Sequence, residues 1–134
     1  MRLLLDTHVY LWWLADDASL SEEARRAIAD PSALVHVSAA SLWEAWIKEA
    51  LGRLELGGSD LAGEIAANGF IELPVNASHA REAAHLPPHH QNPFDRMLVA
   101  QARLEGLTLV TSNVRLEPYE VPLLGSIRGA GGRA

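Results

Sequence analysis

Cysteine is absent from the 134 residues, which excludes disulfides and thiolate metal sites and is compatible with a reducing cytoplasm. Also missing is any excess of positive charge. With 17 acids against 11 bases the net charge is −6, so no polyanion-coating surface is encoded, and any contact with nucleic acid must run through local bases or metal ions. No stretch approaches the roughly 18 apolar residues needed to span a membrane. The N-terminal MRLLLDTHVYLWWLADD has the apolar look of a secretion signal, but Asp6 and His8 interrupt the run and no small-residue cleavage site follows. There is no Gly-rich phosphate loop of the GxGxxG or Walker type, no internal repeat and no linker. What remains is an ordinary globular chain, 49% apolar and 21% charged, long enough to bury a core of its own. One domain is expected over residues 1–126, with 127–134, which ends in RGAGGRA, as a disordered tail.

Strand-like and helix-like segments alternate. Leu3 to Leu5 is a short apolar run, followed by Thr7 as a possible cap and a helical stretch through Trp13. Ser19 to Glu22 has capping-box spacing for a second helix that stops at Asp30-Pro31. ALVHVSA (33–39) reads as a strand, and Ser41 as the opening of a helix SLWEAWIKEAL that Gly52 closes. A weaker helix near 59–67, a strand FIEL (70–73) and an Ala-rich helix 77–85 ended by Pro87-Pro88 come next. A helix over 93–105 has Asn92 at its cap, Pro93 at its first position and Gly106 just past its end. LTLVT (107–111) and VPLL (121–124) read as buried strands. Four or five apolar strands separated by helices predict an α/β fold with a mostly parallel sheet covered on both faces.

Three carboxylates stand out against this frame. Asp6 ends a strand, Glu44 falls in the expected first turn of a helix that follows a strand, and Asp95 falls in the first turn of another. In open α/β sheets strand C-termini and the helix N-termini after them share one edge, where ligands bind. The loop Ser112-Asn113 is expected at the same edge. Each acid has a structural role available to it. Asp6 can cap the first helix, Glu44 has capping-box spacing to Ser41 and ion-pair spacing to Lys48, and Asp95 complements a helix dipole and can reach back to the cap amide. Together, like charges about 4 Å apart repel by roughly 4 kcal/mol at an effective dielectric near 20. Gathering them calls for a cation or a shared proton, and hard oxygen donors suit Mg²⁺ or Mn²⁺.

In order along residues 3 to about 124, LLLDTHVYLWWL, VSAASLWEAWIK, LPPHHQNPFDRMLVAQA and LTLVTSN resemble the successive signatures of PIN-domain ribonucleases, especially the VapC-like toxins of VapBC toxin-antitoxin pairs. The resemblance implies a single PIN-like domain and a metal-dependent endoribonuclease inhibited by a partner antitoxin. It carries Asp6, Glu44 and Asp95 over as metal-binding acids. The family's fourth acid corresponds to Asn113 here, and the acid that commonly precedes the Pro of PFDR corresponds to Asn92. Both departures keep an oxygen and drop a charge. Asn113 is therefore expected to ligate through its carbonyl or to position water, and a single Mg²⁺ is favoured. The chemistry implied is in-line attack on an RNA phosphodiester by a metal-activated water. The alternative is a catalytically weakened PIN-like module that still grips RNA or a protein.

Other residues invite a reading. His85, His89 and His90 lie close together without the spacing of a zinc site. Thr7 and Thr111 can hydrogen-bond the acids or simply cap and pack. Arg96 is expected to pair with a neighbouring acid rather than hold phosphate. Of Trp12, Trp13, Trp43 and Trp46, Trp43 and Trp46 lie three apart on an almost wholly apolar helix, which places some of the four in the core and leaves others for a patch facing a homodimer or an antitoxin. A haloacid-dehalogenase phosphatase also begins with a strand ending in Asp, but its second acid would fall where His8 stands.

Overall fold

The computed structural model describes residues 1–125, so the segment expected to be a tail lies outside the described residues. Five strands form one sheet in the order β3-β2-β1-β4-β5, and every pairing is parallel. They are β1 (Arg2–Leu5), β2 (Leu34–Ser38), β3 (Ile71–Leu73), β4 (Thr108–Val110) and β5 (Leu123–Leu124). Alternation along β1 sends Leu3 and Leu5 to one face and Leu4 to the other, because successive side chains of a strand point oppositely. The first face is covered by α1 (Thr7–Ala15), α2 (Glu22–Ala29), α3 (Ala39–Ala50) and α4 (Leu61–Ala67), which contribute Val9, Tyr10, Ile28, Leu42 and Ile65 to its core. On the second face α6 (Pro93–Glu105) packs Leu98, Val99 and Ala102 against Leu4 and Leu109. Leu86, just past α5 (Ala77–His85), joins that core. Among the described residues no helix is long and apolar enough to cross a membrane.

The chain leaves β1 in one direction to β2 and β3, then returns across the other face to β4. The direction reverses at β1 and β4, which opens a crevice at their C-terminal ends. The ladder continues one step past β1, where the Asp6 amide donates to Val110 O at 3.0 Å.

Of the two caps open to α1, Asp6 takes the role, accepting from the Val9 amide at 2.8 Å, and Thr7 is the first helical residue. Two other helix starts differ from expectation. Ser21, rather than Ser19, caps α2 by accepting from the Ala24 amide, while the Ser19 amide is bound to Asp17. Ser38 caps α3 directly from the end of β2, accepting from Ala40 at 3.0 Å. With no loop between strand and helix, α3 begins two residues before Ser41, and Glu44 lies in its second turn rather than its first. The predicted helices 77–85 and 93–105 coincide with α5 and α6. A 3₁₀ helix at Val114–Tyr119, capped by the Asn113 side chain, is an addition to the expected elements.

Candidate active site

Asp6, Glu44, Asp95 and Asn113, remote in sequence, line one cavity of about 300 Å³ together with Thr7, His8, Lys48, Asn92 and Ser112. Each arrives by a local cause. Asp6 is the junction of β1 and α1, Asp95 follows the Pro93 start of α6, and Asn113 closes the loop after β4. Glu44 points inward because α3 turns Ala40, Ser41, Leu42, Glu44 and Ala45 into the protein. That rotation leaves Trp43 61% and Trp46 44% exposed, so the core tryptophans are not on α3. Trp12 and Trp13 of α1 pack partly buried against the first core instead.

Asp6 is nearly inaccessible, and burial pushes its carboxyl up from 3.8 to about 6. Hydrogen bonds from the Thr111 side chain and the Val9 amide and the nearby His8 oppose the shift, whereas the negative charge of Asp95 adds to it. Asp95 Oδ2 receives His90 Nε2 at 2.8 Å and the Asn113 amide nitrogen at 3.3 Å. Among the described residues nothing bonds its Oδ1. Asp95 does not reach back to its cap residue. Asn92 Oδ1 alone accepts from the Phe94 and Asp95 amides. The Asn113 carbonyl oxygen accepts from the Arg115 amide at 3.0 Å, which fixes the amide orientation and gives Asp95 a donor rather than another ligand oxygen.

Glu44 is held on both oxygens. Thr7 Oγ1 donates to Oε1 at 2.6 Å, and the Lys48 ammonium pairs with Oε2 at 3.1 Å. Both expected threonine contacts with acids are therefore present. Among the described residues Arg96 pairs with no acid. It donates instead to the carbonyls of Ala83, Leu86, Pro87 and His90 and to the Tyr119 hydroxyl. The Tyr119 hydroxyl also accepts from the His90 amide at 2.9 Å. Arg96 and Tyr119 thus brace the segment that carries His90 to Asp95. His90 and Lys48 were not singled out as site residues from sequence. The spacing of Glu44 to Lys48 was legible as an ion pair, whereas a loop histidine has no periodicity to reveal its target.

The histidines do not form a metal centre. His85 bonds Arg81 O, His89 lies edge-on to Tyr119, and His90 meets Asp95. Among the described residues no three His, Cys, Asp or Glu side chains converge to hold an ion. What converges is a pair, Asp6 and Asp95, close enough for one to raise the other's proton affinity. That donor set fits Mg²⁺, which keeps several waters and takes one or two carboxylates.

Residues 3–121 match the PIN domain family. The chain belongs to that family. It is 34% identical over 123 residues to ribonuclease VapC22 of Mycobacterium tuberculosis (strain ATCC 25618 / H37Rv), covering 90% of this chain and 93% of the relative. Its fold is that of VapBC2 from Rickettsia felis bound to a DNA fragment from the promoter, with a TM-score of 0.70 at 14% identity over 93% of this chain and 98% of that one. DNA-bound VapBC from Salmonella typhimurium is similar at 0.68 and 17%, with the same coverage of both chains. This PIN domain has its acids at the crevice where the sheet reverses direction, the place that parallel α/β sheets reserve for ligands.

Proposed function

We propose that the protein is a divalent-metal-dependent endoribonuclease, the VapC-like toxin of a toxin-antitoxin pair, acting in the cytoplasm. The observation that carries this reading is the convergence of Asp6 and Asp95 on a cavity also lined by Glu44 and Asn113, in a chain 34% identical to a ribonuclease. Asp6 and Asp95 would hold Mg²⁺, or Mn²⁺ in its place, and Glu44 lines the same cavity as the third acid. When bound, the ion supplies Lewis-acid polarisation of a phosphoryl oxygen and a water of lowered pKa. The protein's own groups orient the site. Thr111 and the Val9 amide hold Asp6, and His90 and Asn113 steady one oxygen of Asp95 while its other oxygen has no bond among the described residues. An antitoxin polypeptide as partner is supported by the resemblance to VapBC complexes.

The decisive assay is cleavage of a structured RNA against Mg²⁺ concentration for wild type, Asn113→Asp and Asp95→Asn. The Asp at 113 replaces a donor 3.3 Å from Asp95 Oδ2 with a second negative charge. It is expected to tighten divalent binding by about 1 kcal/mol, allowing for solvent screening, and to lower the Mg²⁺ needed for half-maximal cleavage several-fold. Asp95→Asn serves as the inactive control. If wild type and Asn113→Asp are inert at every Mg²⁺ concentration while RNA binding persists, the chain is a binding module instead.

We also infer a homodimer. The outward Trp43 and Trp46 and the cleft of about 460 Å³ between α3 and α6, lined by Trp43, Val75, Phe94 and Met97, give an apolar face that water disfavours. Sedimentation at tens of micromolar is expected to give twice the 14.5 kDa chain mass, and a strict monomer counts against this assignment.

A further inference from the structure

Lys48 is the sole lysine of the chain, since the other ten basic residues are arginines. It stands in the wall of the acidic cavity, where it is the one Lys or Arg among the lining residues. Its ammonium is bound at 3.1 Å to Glu44 Oε2, and the other Glu44 oxygen is taken by Thr7 at 2.6 Å. Glu44 is the deeper partner, with a side chain 7% exposed against 32% for Lys48. An ammonium carries three donors, of which Glu44 uses one. The remaining two have no partner among the described residues, on a partly exposed group that lines the cavity. Three carboxylates against this one ammonium leave two negative charges, the charge of a single divalent ion.

We infer that Lys48, held by Glu44, is the resident cation of the site: it takes a backbone phosphate of RNA where a second metal ion would otherwise be needed, so that the protein works with one divalent ion. This rests on the ribonuclease reading. In it Glu44 is a positioning residue, clamping the lysine through the i, i+4 pair on α3 rather than ligating metal. A lysine suits the part, because its ammonium is a compact, strongly hydrated point charge, whereas the guanidinium of arginine is broad and planar. A flexible four-carbon stem whose terminal ammonium is tethered by Glu44 keeps that charge in the cavity before substrate arrives.

The test titrates Mn²⁺ into wild type, Glu44→Gln, Lys48→Gln and Asp6→Asn by calorimetry and paramagnetic resonance. It also measures the affinity for a short single-stranded RNA against salt concentration, with Ca²⁺ replacing Mg²⁺. Wild type is expected to bind one Mn²⁺ per chain. Glu44→Gln should keep that ion within about threefold in affinity, while Asp6→Asn loses it. Lys48→Gln, which releases an unpaired carboxylate into the cavity, should tighten Mn²⁺ several-fold. The same variant should weaken RNA binding and reduce the salt slope by about 0.7, the share of one phosphate contact on a single strand, and Lys48→Arg should restore the slope. Two Mn²⁺ per wild-type chain, loss of Mn²⁺ in a folded Glu44→Gln protein, or an unchanged salt slope in Lys48→Gln each overturns the inference. The Mn²⁺ arm involves no RNA, so a wild type that binds one ion and cleaves nothing counts against the ribonuclease reading alone.

Discussion

Asp6→Asn is expected to stabilise the protein by up to ~3 kcal/mol at pH 7 without divalent ions, and to abolish both metal binding and RNA cleavage. Burial raises the Asp6 carboxyl from 3.8 to about 6, so between those values the native state binds a proton that the unfolded chain does not. Stability from this group is complete below about pH 4 and is lost as pH rises through 6. The loss by pH 7 follows from about 1.4 kcal/mol for each pH unit between the two values. An Asn at this position carries no charge to desolvate and still offers an oxygen to the Val9 amide, so the α1 cap survives. Denaturation in urea at pH 7 should show the gain, and the difference between the two proteins should shrink toward pH 4. Added Mn²⁺ should raise the stability of wild type alone, because it binds only the folded carboxylate pair. If the variant gains nothing at pH 7, Asp6 is not a strained acid and the metal reading loses its main electrostatic support.

Arg96→Ala is expected to cost about 3 kcal/mol and to disable the site from outside it. The Arg96 guanidinium bonds five acceptors, with Ala83 O at 2.8 Å and Leu86 O at 2.9 Å the shortest. It closes the C-terminal end of α5 and ties down the segment between α5 and α6. A hydrogen bond to a charged group contributes roughly 1.5–3 kcal/mol, but bonds from one side chain are not additive, and the exposed carbonyls recover some water. Arg96→Lys should recover only part of the loss, since an ammonium cannot span the fork. The functional consequence runs through His90, whose carbonyl meets Arg96, whose amide meets Tyr119, and whose ring meets Asp95. A urea melt gives the stability, and the His90 ring signals in nuclear magnetic resonance report whether its contact with Asp95 survives. A loss below 1 kcal/mol with unchanged His90 signals would refute the bracing role.

Elements whose causes are local were legible in the sequence. The bounds of α5 and α6 follow from Asn76, Asn92, Pro93 and Gly106, each acting within a few residues. The five strands follow from apolar runs, and their alternation with helices implied the parallel sheet. Asp6, Glu44 and Asp95 were traceable to one sheet edge because strand ends and helix starts share it. The helix starts that were misplaced at Ser19 and Ser41 show the limit of even local signals. In each case a neighbouring serine, Ser21 or Ser38, had the extended backbone that a cap requires.

Tertiary structure alone decided which face each helix presents and what each polar group meets. An almost wholly apolar α3 would bury its tryptophans if free to choose, yet direct entry from β2 sets its rotation, turns Ser41 and Glu44 inward and leaves Trp43 and Trp46 outside. The Thr7 bond to Glu44, the Asn113 contact on Asp95 and the Arg96 bond to the Tyr119 hydroxyl join groups brought together by the sheet order and the chain's crossing between its faces. Such contacts carry little local signature. Capping and periodicity act over one or two helical turns, whereas a hydrogen bond between distant segments is fixed only once both faces of the sheet are buried and the side chains have no other water or partner to turn to.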